Sequence, residues 1–315
     1  MGFLFWKNSK PRISYAPYRR TAAERWAETD SKNRRNAEEI AITKYKTRET
    51  DICIPSIVDG KEVRELGDRL FYKNKRIKSV TIPESVTHMG DSEFFECEAL
   101  TSVTLPESMM RIGNEVFTMC YSLTDVVIPK GVTRIGDHAF YACESLTGIT
   151  IPENVTSIGR SAFDSCSQLT DITIPEGVTS IGEGAFSACR CLADIAMPNG
   201  MTSIENRTFK FCRALTSIVI PDGVTRIGVS AFEGCRELKS VVLPQSVTRI
   251  AEGAFLECKS ICGVYYGGTK EEWETMTIGD KNADLVEGVR YYYREIPPTE
   301  RGNYWHYVNG KPTPW

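Results

Sequence analysis

Between Leu169 and Cys189 the chain reads LTDITIPEGVTSIGEGAFSAC, and its order of apolar and polar positions returns every 23 residues. Phenylalanines mark the period at Phe71, Phe94, Phe117, Phe140, Phe163, Phe186, Phe209, Phe232 and Phe255. Three residues after each stands Asn74, then Cys97, Cys120, Cys143, Cys166, Cys189, Cys212, Cys235 and Cys258. One unit is C-x-x-L-x-x-V-x-I-P-x-x-V-x-x-I-G-x-x-A-F-x-x, as in Cys143, Leu146, Ile149, Ile151, Pro152, Val155, Ile158, Gly159, Ala162 and Phe163. A fixed period of this length signals a repeat array whose units bury their apolar faces only against one another.

The alternation around Ile172 and Ile174 predicts a short strand with those side chains inward and Asp171 and Thr173 outward. Stacked units would set these strands side by side in a parallel sheet. Pro175 ends the strand and opens a turn that Gly177 continues. Beyond it Val178, Ile181, Ala185 and Phe186 fall at i, i+3, i+7 and i+8, which predicts a helical or 3-10 segment on the back of the sheet. The expected fold is therefore an α/β repeat solenoid with short convex helical segments and a capping segment at each end.

Eleven cysteines raise the question of staples or metal. An odd number in a chain with ample apolar residues argues against a disulfide framework. Single cysteines on successive rungs also lack the paired spacing of zinc sites, and neither close pair, Cys189 with Cys191 or Cys258 with Cys262, has a histidine nearby. Neighbouring rungs would be close enough for bridges, but parallel side chains suit a column of thiols better. The favoured reading is structural: each thiol packs as a small apolar group and donates weakly to the backbone, as Asn74 would in the same slot.

The run from Leu169 to Cys189 resembles the BspA-like leucine-rich repeats, and the resemblance extends over about residues 40 to 315, with an irregular first unit. It departs at Glu205 and Ala251 in the glycine slot, and at Met197 and Met201 around one turn. The resemblance implies bacterial or protist proteins, mostly secreted or at the cell surface, several linked to cell adhesion or to binding host matrix proteins. It implies no catalytic residues. The first residues lack the apolar run of a secretory signal, so a secreted or cell-surface location rests on the resemblance alone and the cytoplasm is the alternative.

Four regions follow: residues 1–17, expected to be disordered; 18–41, a helix opened by a Thr21 and Glu24 capping box; 42–264, the repeats; and 265–315, a terminal cap. In the last, Thr269 and Glu272 predict a second capped helix, GVRYYYRE a strand, and Asn309-Gly310 the turn of a hairpin. Trp273, Tyr291, Tyr293 and Trp305 would cover the final rung. Alternatively Tyr304, Trp305, Tyr307 and Trp315 would form an aromatic platform for a glycan or peptide.

A net charge of -3 gives no reason to expect nucleic acid, and no stretch is apolar enough to span a membrane. The basic residues of 18–41 are interspersed with carboxylates, which favours a solvated helix over a nucleic-acid arm. His88, His138 and His306 stand in no nucleophile motif, and no phosphate loop or metal motif is present, so no catalytic residue, metal or cofactor is expected. What remains is the outward strand face, with Ser102, Thr104, Asp125, Val127, Thr150, Asp171, Thr173 and Asp194 as candidate contacts for a protein ligand. These small residues predict a non-enzymatic interaction scaffold; glycan binding by the tail and an intracellular regulatory role are the alternatives.

Overall fold

The computed structural model describes residues 11–17, 39–299, 301–308 and 311–315. Each 23-residue unit makes one turn of a solenoid with three sides. The first side holds the predicted strands, such as Gly148–Thr150 and Asp171–Thr173, which lie parallel with Ile149 beside Ile172 and Thr150 beside Thr173. Their inward side chains alternate strictly with exposed ones, as a strand covered on one face requires.

The second side corrects the helical expectation. Ile181 belongs to a two-residue strand, Ser180–Ile181, parallel to Ser157–Ile158, which in turn pairs with Arg134–Ile135. The third side, around each phenylalanine, consists of single turns in which residues on either side of the ring take left-handed conformations, such as Ser161 at φ 46° and Ser165 at φ 63°. The N–H groups of Ser161, Phe163 and Ser165 donate to the carbonyls of Glu183, Ala185 and Ser187 at 2.8, 2.8 and 2.7 Å. A helix would return these donors to its own preceding turn; here they run along the array to the next unit. Each of the three sides thus contributes backbone hydrogen bonds between neighbouring units.

The interior is a set of columns. Phenylalanine rings from Phe71 to Phe255 stack at centroid spacings of 5.0 to 5.6 Å. Beside them run the buried thiols of Cys97 to Cys258. The glycine after the second strand answers a steric demand: a Cβ on Gly159 would lie 2.5 Å from Asp137 Oδ1 and 2.6 Å from Asp137 N. That same Oδ1 accepts the N–H of Arg160 at 2.9 Å, so the rung below fills the space.

The ladders are interrupted at a few units, and at one of them on two sides. Among the described residues no strand forms around Ile195, and the first-side sheet stops at Asp171–Thr173 and resumes at Ser217–Val219. The second side is interrupted between Ser180–Ile181 and Ser203–Ile204, at the unit carrying Met197 and Met201. The turns stay linked, with Phe186 N–H donating to Thr208 O at 2.9 Å.

At the start, Arg12–Pro17 form a strand antiparallel to Glu39–Lys46, where disorder was expected for 1–17. The inward side chains of Ile40 and Ile42 give that pair a buried face. The expected helix over 18–41 falls outside the described residues up to 38, and 39–41 are strand instead.

At the far end, Lys270–Thr275 is a helix whose capping box is complete: Thr269 Oγ1 accepts from Glu272 N–H at 3.2 Å, and Glu272 Oε2 accepts from Thr269 N–H at 2.8 Å. The sheet continues through Gly263–Tyr266 and Val289–Tyr293 to Tyr304–Val308. Lys311–Pro314 closes it as an antiparallel partner, with Trp305 opposite Pro314, Tyr307 opposite Pro312, and Trp315 N–H donating to Tyr304 O at 3.0 Å. The turn residues 309 and 310 fall outside the described residues.

Candidate functional site

The outward positions of the first side form a face of short side chains, because every second residue of each strand is committed to the interior. Five of the eight predicted positions, Asp125, Val127, Thr150, Asp171 and Thr173, line one groove of about 660 Å³. Ser102, Thr104 and Asp194 lie outside it. The groove sits where the sheet is interrupted between Asp125–Val126 and Gly148–Thr150, and Gly148 contributes no side chain to its floor. Val127 is 70% exposed, leaving an apolar contact open to a ligand.

Sequence reasoning missed the groove's rim. Glu107, Lys130 and Glu153 enter from the turns that follow each strand. Their signal was present as the residue after the proline of each unit, a position treated only as turn chemistry. With Asp125 and Asp171 they place four carboxylates against one ammonium, so the groove is acidic. It offers charge and shape complementarity to an extended cationic segment.

The cysteines have a structural role. Cys166 Sγ–H donates to Phe140 O at 3.2 Å, and the same bond recurs from Cys97 to Phe71 through Cys258 to Phe232. Each Phe carbonyl from Phe71 to Phe232 therefore accepts both its own turn, as Cys143 N–H to Phe140 O at 3.1 Å, and the thiol of the next unit. Burial pushes the Cys97 thiol up to about 12, with the Asn74 backbone only partly opposing it. The other columnar thiols whose acidity shifts are raised in the same direction by burial. Such groups are poor nucleophiles.

Among the described residues no cluster of histidine, cysteine or carboxylate is placed to hold a metal ion. His88 lies beside Thr87 Oγ1, His138 meets the Tyr141 ring edge, and His306 stacks on Trp315, so the three are dispersed. The aromatic tail divides. Trp305 is buried and donates its Nε1–H to Tyr266 O at 2.9 Å, whereas Tyr307 and Trp315 are exposed and Tyr304 is half-buried.

The sequence profile of the BspA-type leucine-rich-repeat region matches residues 45–170 and 133–262, in six copies. The chain belongs to the BspA-type leucine-rich-repeat family. Three solved leucine-rich-repeat structures are similar to this chain, and the first of them supports the fold. A leucine-rich repeat protein from Bacteroides ovatus is 23% identical, with a TM-score of 0.66 over 91% of this chain and 79% of that one. A leucine-rich repeat protein from T. pallidum is 28% identical, covering 72% of this chain and 87% of its own, with a TM-score of 0.48. A leucine rich cell surface protein from Faecalibacterium prausnitzii is 27% identical over 76% of this chain and 93% of that chain, with a TM-score of 0.36. Comparison with curated proteins finds no match. Within the BspA-type fold, the acidic groove is a feature of particular side chains rather than of the repeat itself, because Lys130, Glu153 and Glu176 occupy equivalent slots with different charges.

Proposed function

We propose that this BspA-type protein is a non-enzymatic interaction scaffold that takes an extended, lysine- or arginine-bearing polypeptide segment in the groove over Thr150 and Thr173. The acidic groove itself carries this reading: four carboxylates surround a floor of small side chains, with one lysine among them. Desolvated charge pairs across such a floor fix register and partner choice more than they add raw affinity. Adhesion at a cell surface is the setting that the family resemblance favours for such a scaffold.

Peptide display on the full-length protein tests the reading. Selected sequences should be enriched in basic residues and should lose binding to Thr150→Arg/Thr173→Arg, which fills the groove and cancels most of its negative charge. Selection of sequences without basic residues, or undiminished binding to that variant, refutes it.

In the same scaffold the one buried aromatic of the terminal hairpin serves as a cap on the last rung. Trp305 supports this assignment, being buried against Tyr265 and Tyr293 with its N–H satisfied by Tyr266. Burying an aromatic of this size removes a large apolar area from water at the last rung.

A further inference from the structure

A second cleft, of about 720 Å³, opens beyond the last repeats between the helix Lys270–Thr275 and the strands Val289–Tyr293 and Tyr304–Val308. Lys270, Arg290, Arg294 and Arg301 line it, against the single carboxylate of Glu271. This is a concentration of positive charge in a chain whose net charge is -3.

Two of these arginines, Arg290 and Arg301, are in no ion pair among the described residues. Arg290 lies 5.5 Å over the Trp273 ring and donates Nη1–H to Val286 O at 2.7 Å, partners that order the guanidinium and leave its charge intact. The Arg294 guanidinium lies 5.0 Å over the Tyr304 ring. Arg301 is exposed and makes no ion pair among the described residues. Lys270 meets Glu274 at 3.9 Å, an exposed pair one helical turn apart that contributes little. Guanidinium groups facing one cleft favour an anionic occupant, and a planar guanidinium prefers a carboxylate or sulfate that it can grip with two N–H groups.

The rest of the lining narrows the ligand class. Tyr292, Tyr293 and Tyr304 contribute rings, Thr269 and Asn303 contribute polar groups, and Val289 is the sole aliphatic side chain. A peptide would need apolar anchor pockets that this list does not provide. A sugar ring needs a flat aromatic surface for its C–H face and hydrogen-bonding groups at its rim, and the cavity lies within the size range of small-ligand sites.

We propose that this cleft binds an anionic saccharide, a sugar chain bearing carboxylate or sulfate ester groups. The site stands apart from the acidic groove and its occupation does not depend on the groove's partner. The sequence gives no local motif for it, since strand pairing at the end of the array brings together cations from 270, 290, 294 and 301.

Calorimetric titration of the full chain with a galacturonic acid tetrasaccharide, a sulfated disaccharide, neutral maltotetraose, poly-glutamate and inorganic sulfate tests the assignment. At least one of the two acidic saccharides should bind, in a salt-sensitive manner, and maltotetraose should not; which of them binds tighter identifies the preferred anionic group. Arg301→Ser and Lys270→Ser, both at exposed positions, should each weaken that binding by about tenfold while leaving the thermal midpoint unchanged. The proposal is overturned by absence of binding to both acidic saccharides, by equal affinity for the neutral sugar, or by variants that bind as wild type. Poly-glutamate binding as tightly would make this an acidic-peptide site, and inorganic sulfate competing as well as the saccharide would make it a bare-anion site; either result also overturns the proposal.

Discussion

Glu93 stands inside the solenoid in a column whose other members are Leu70, Val116, Ala139, Ala162, Ala185, Thr208, Ala231 and Ala254. It is fully buried, and neither carboxyl oxygen has a hydrogen-bond partner. Burial pushes its carboxyl well above the ordinary value of 4.5; the nearby Leu70 backbone opposes this without completing a hydrogen bond, and Asp68 reinforces it. The folded chain therefore holds a proton that the unfolded chain releases above that value. The contribution of Glu93 to stability is therefore most favourable in acid and falls as pH rises past the ordinary carboxylate range, by about 1.4 kcal/mol per pH unit while the buried carboxyl stays protonated. Even neutral, an unpartnered buried polar group costs about 1–3 kcal/mol. Glu93→Val, with Leu70 and Val116 as its neighbours in the column, removes both costs. Urea unfolding of the two proteins from about pH 4 to about pH 9 should show the variant more stable by about 1–3 kcal/mol in acid, with the gap widening toward neutral pH. Other carboxylates cancel in the difference. Parallel stability curves would refute the reasoning, because they would mean that Glu93 is ionised and hydrated in the folded chain.

Two further outcomes test the packing between rungs. Gly159→Ala places a Cβ 2.6 Å from the backbone nitrogen of Asp137, and should lower the urea-unfolding free energy by about 2 kcal/mol or more. Gly177→Ala, whose Cβ would meet Glu153 O at 3.3 Å, should cost clearly less in the same assay. A chromogenic disulfide reagent should label exposed Cys53 and Cys262 quickly and half-buried Cys191 more slowly; the other eight thiols should react only after denaturation. Rapid native labelling of all eleven would contradict the sealed column.

The period, the inward and outward strand positions and the thiol column were legible because each repeats in register, so one assignment served every unit. The back of the solenoid was misread for a physical reason. Val178, Ile181, Ala185 and Phe186 satisfy a helical spacing, but a two-residue strand followed by a left-handed turn buries the same four side chains. What separates the two is the destination of the backbone N–H groups, which lies 22 residues away at Ala185 for Phe163. The glycines at 182 and 184 were the available hint, since two so close weaken a helix. Of the groove, the strand positions could be read and the rim could not, because the turn residues reach it only once the rungs stack. Glu93 was visible as a carboxylate in an alanine slot; its lack of a partner was not.

The closing strand has a consequence for assembly. In-register parallel rungs resemble a fibre's growing end, and an open strand edge recruits other chains through its unpaired N–H and C=O groups. Because Trp315 N–H points toward Tyr304, alternation turns the nitrogens of Lys311 and Thr313 the same way and those of Pro312 and Pro314 toward the open edge. Both outward nitrogens belong to prolines and carry no hydrogen. This edge can accept hydrogen bonds along Lys311–Pro314 but cannot donate them there, so a second molecule cannot extend the ladder by docking a strand. At this end of the sheet the Lys311–Pro314 strand therefore acts as a stop, a guard against edge-to-edge association written into two prolines.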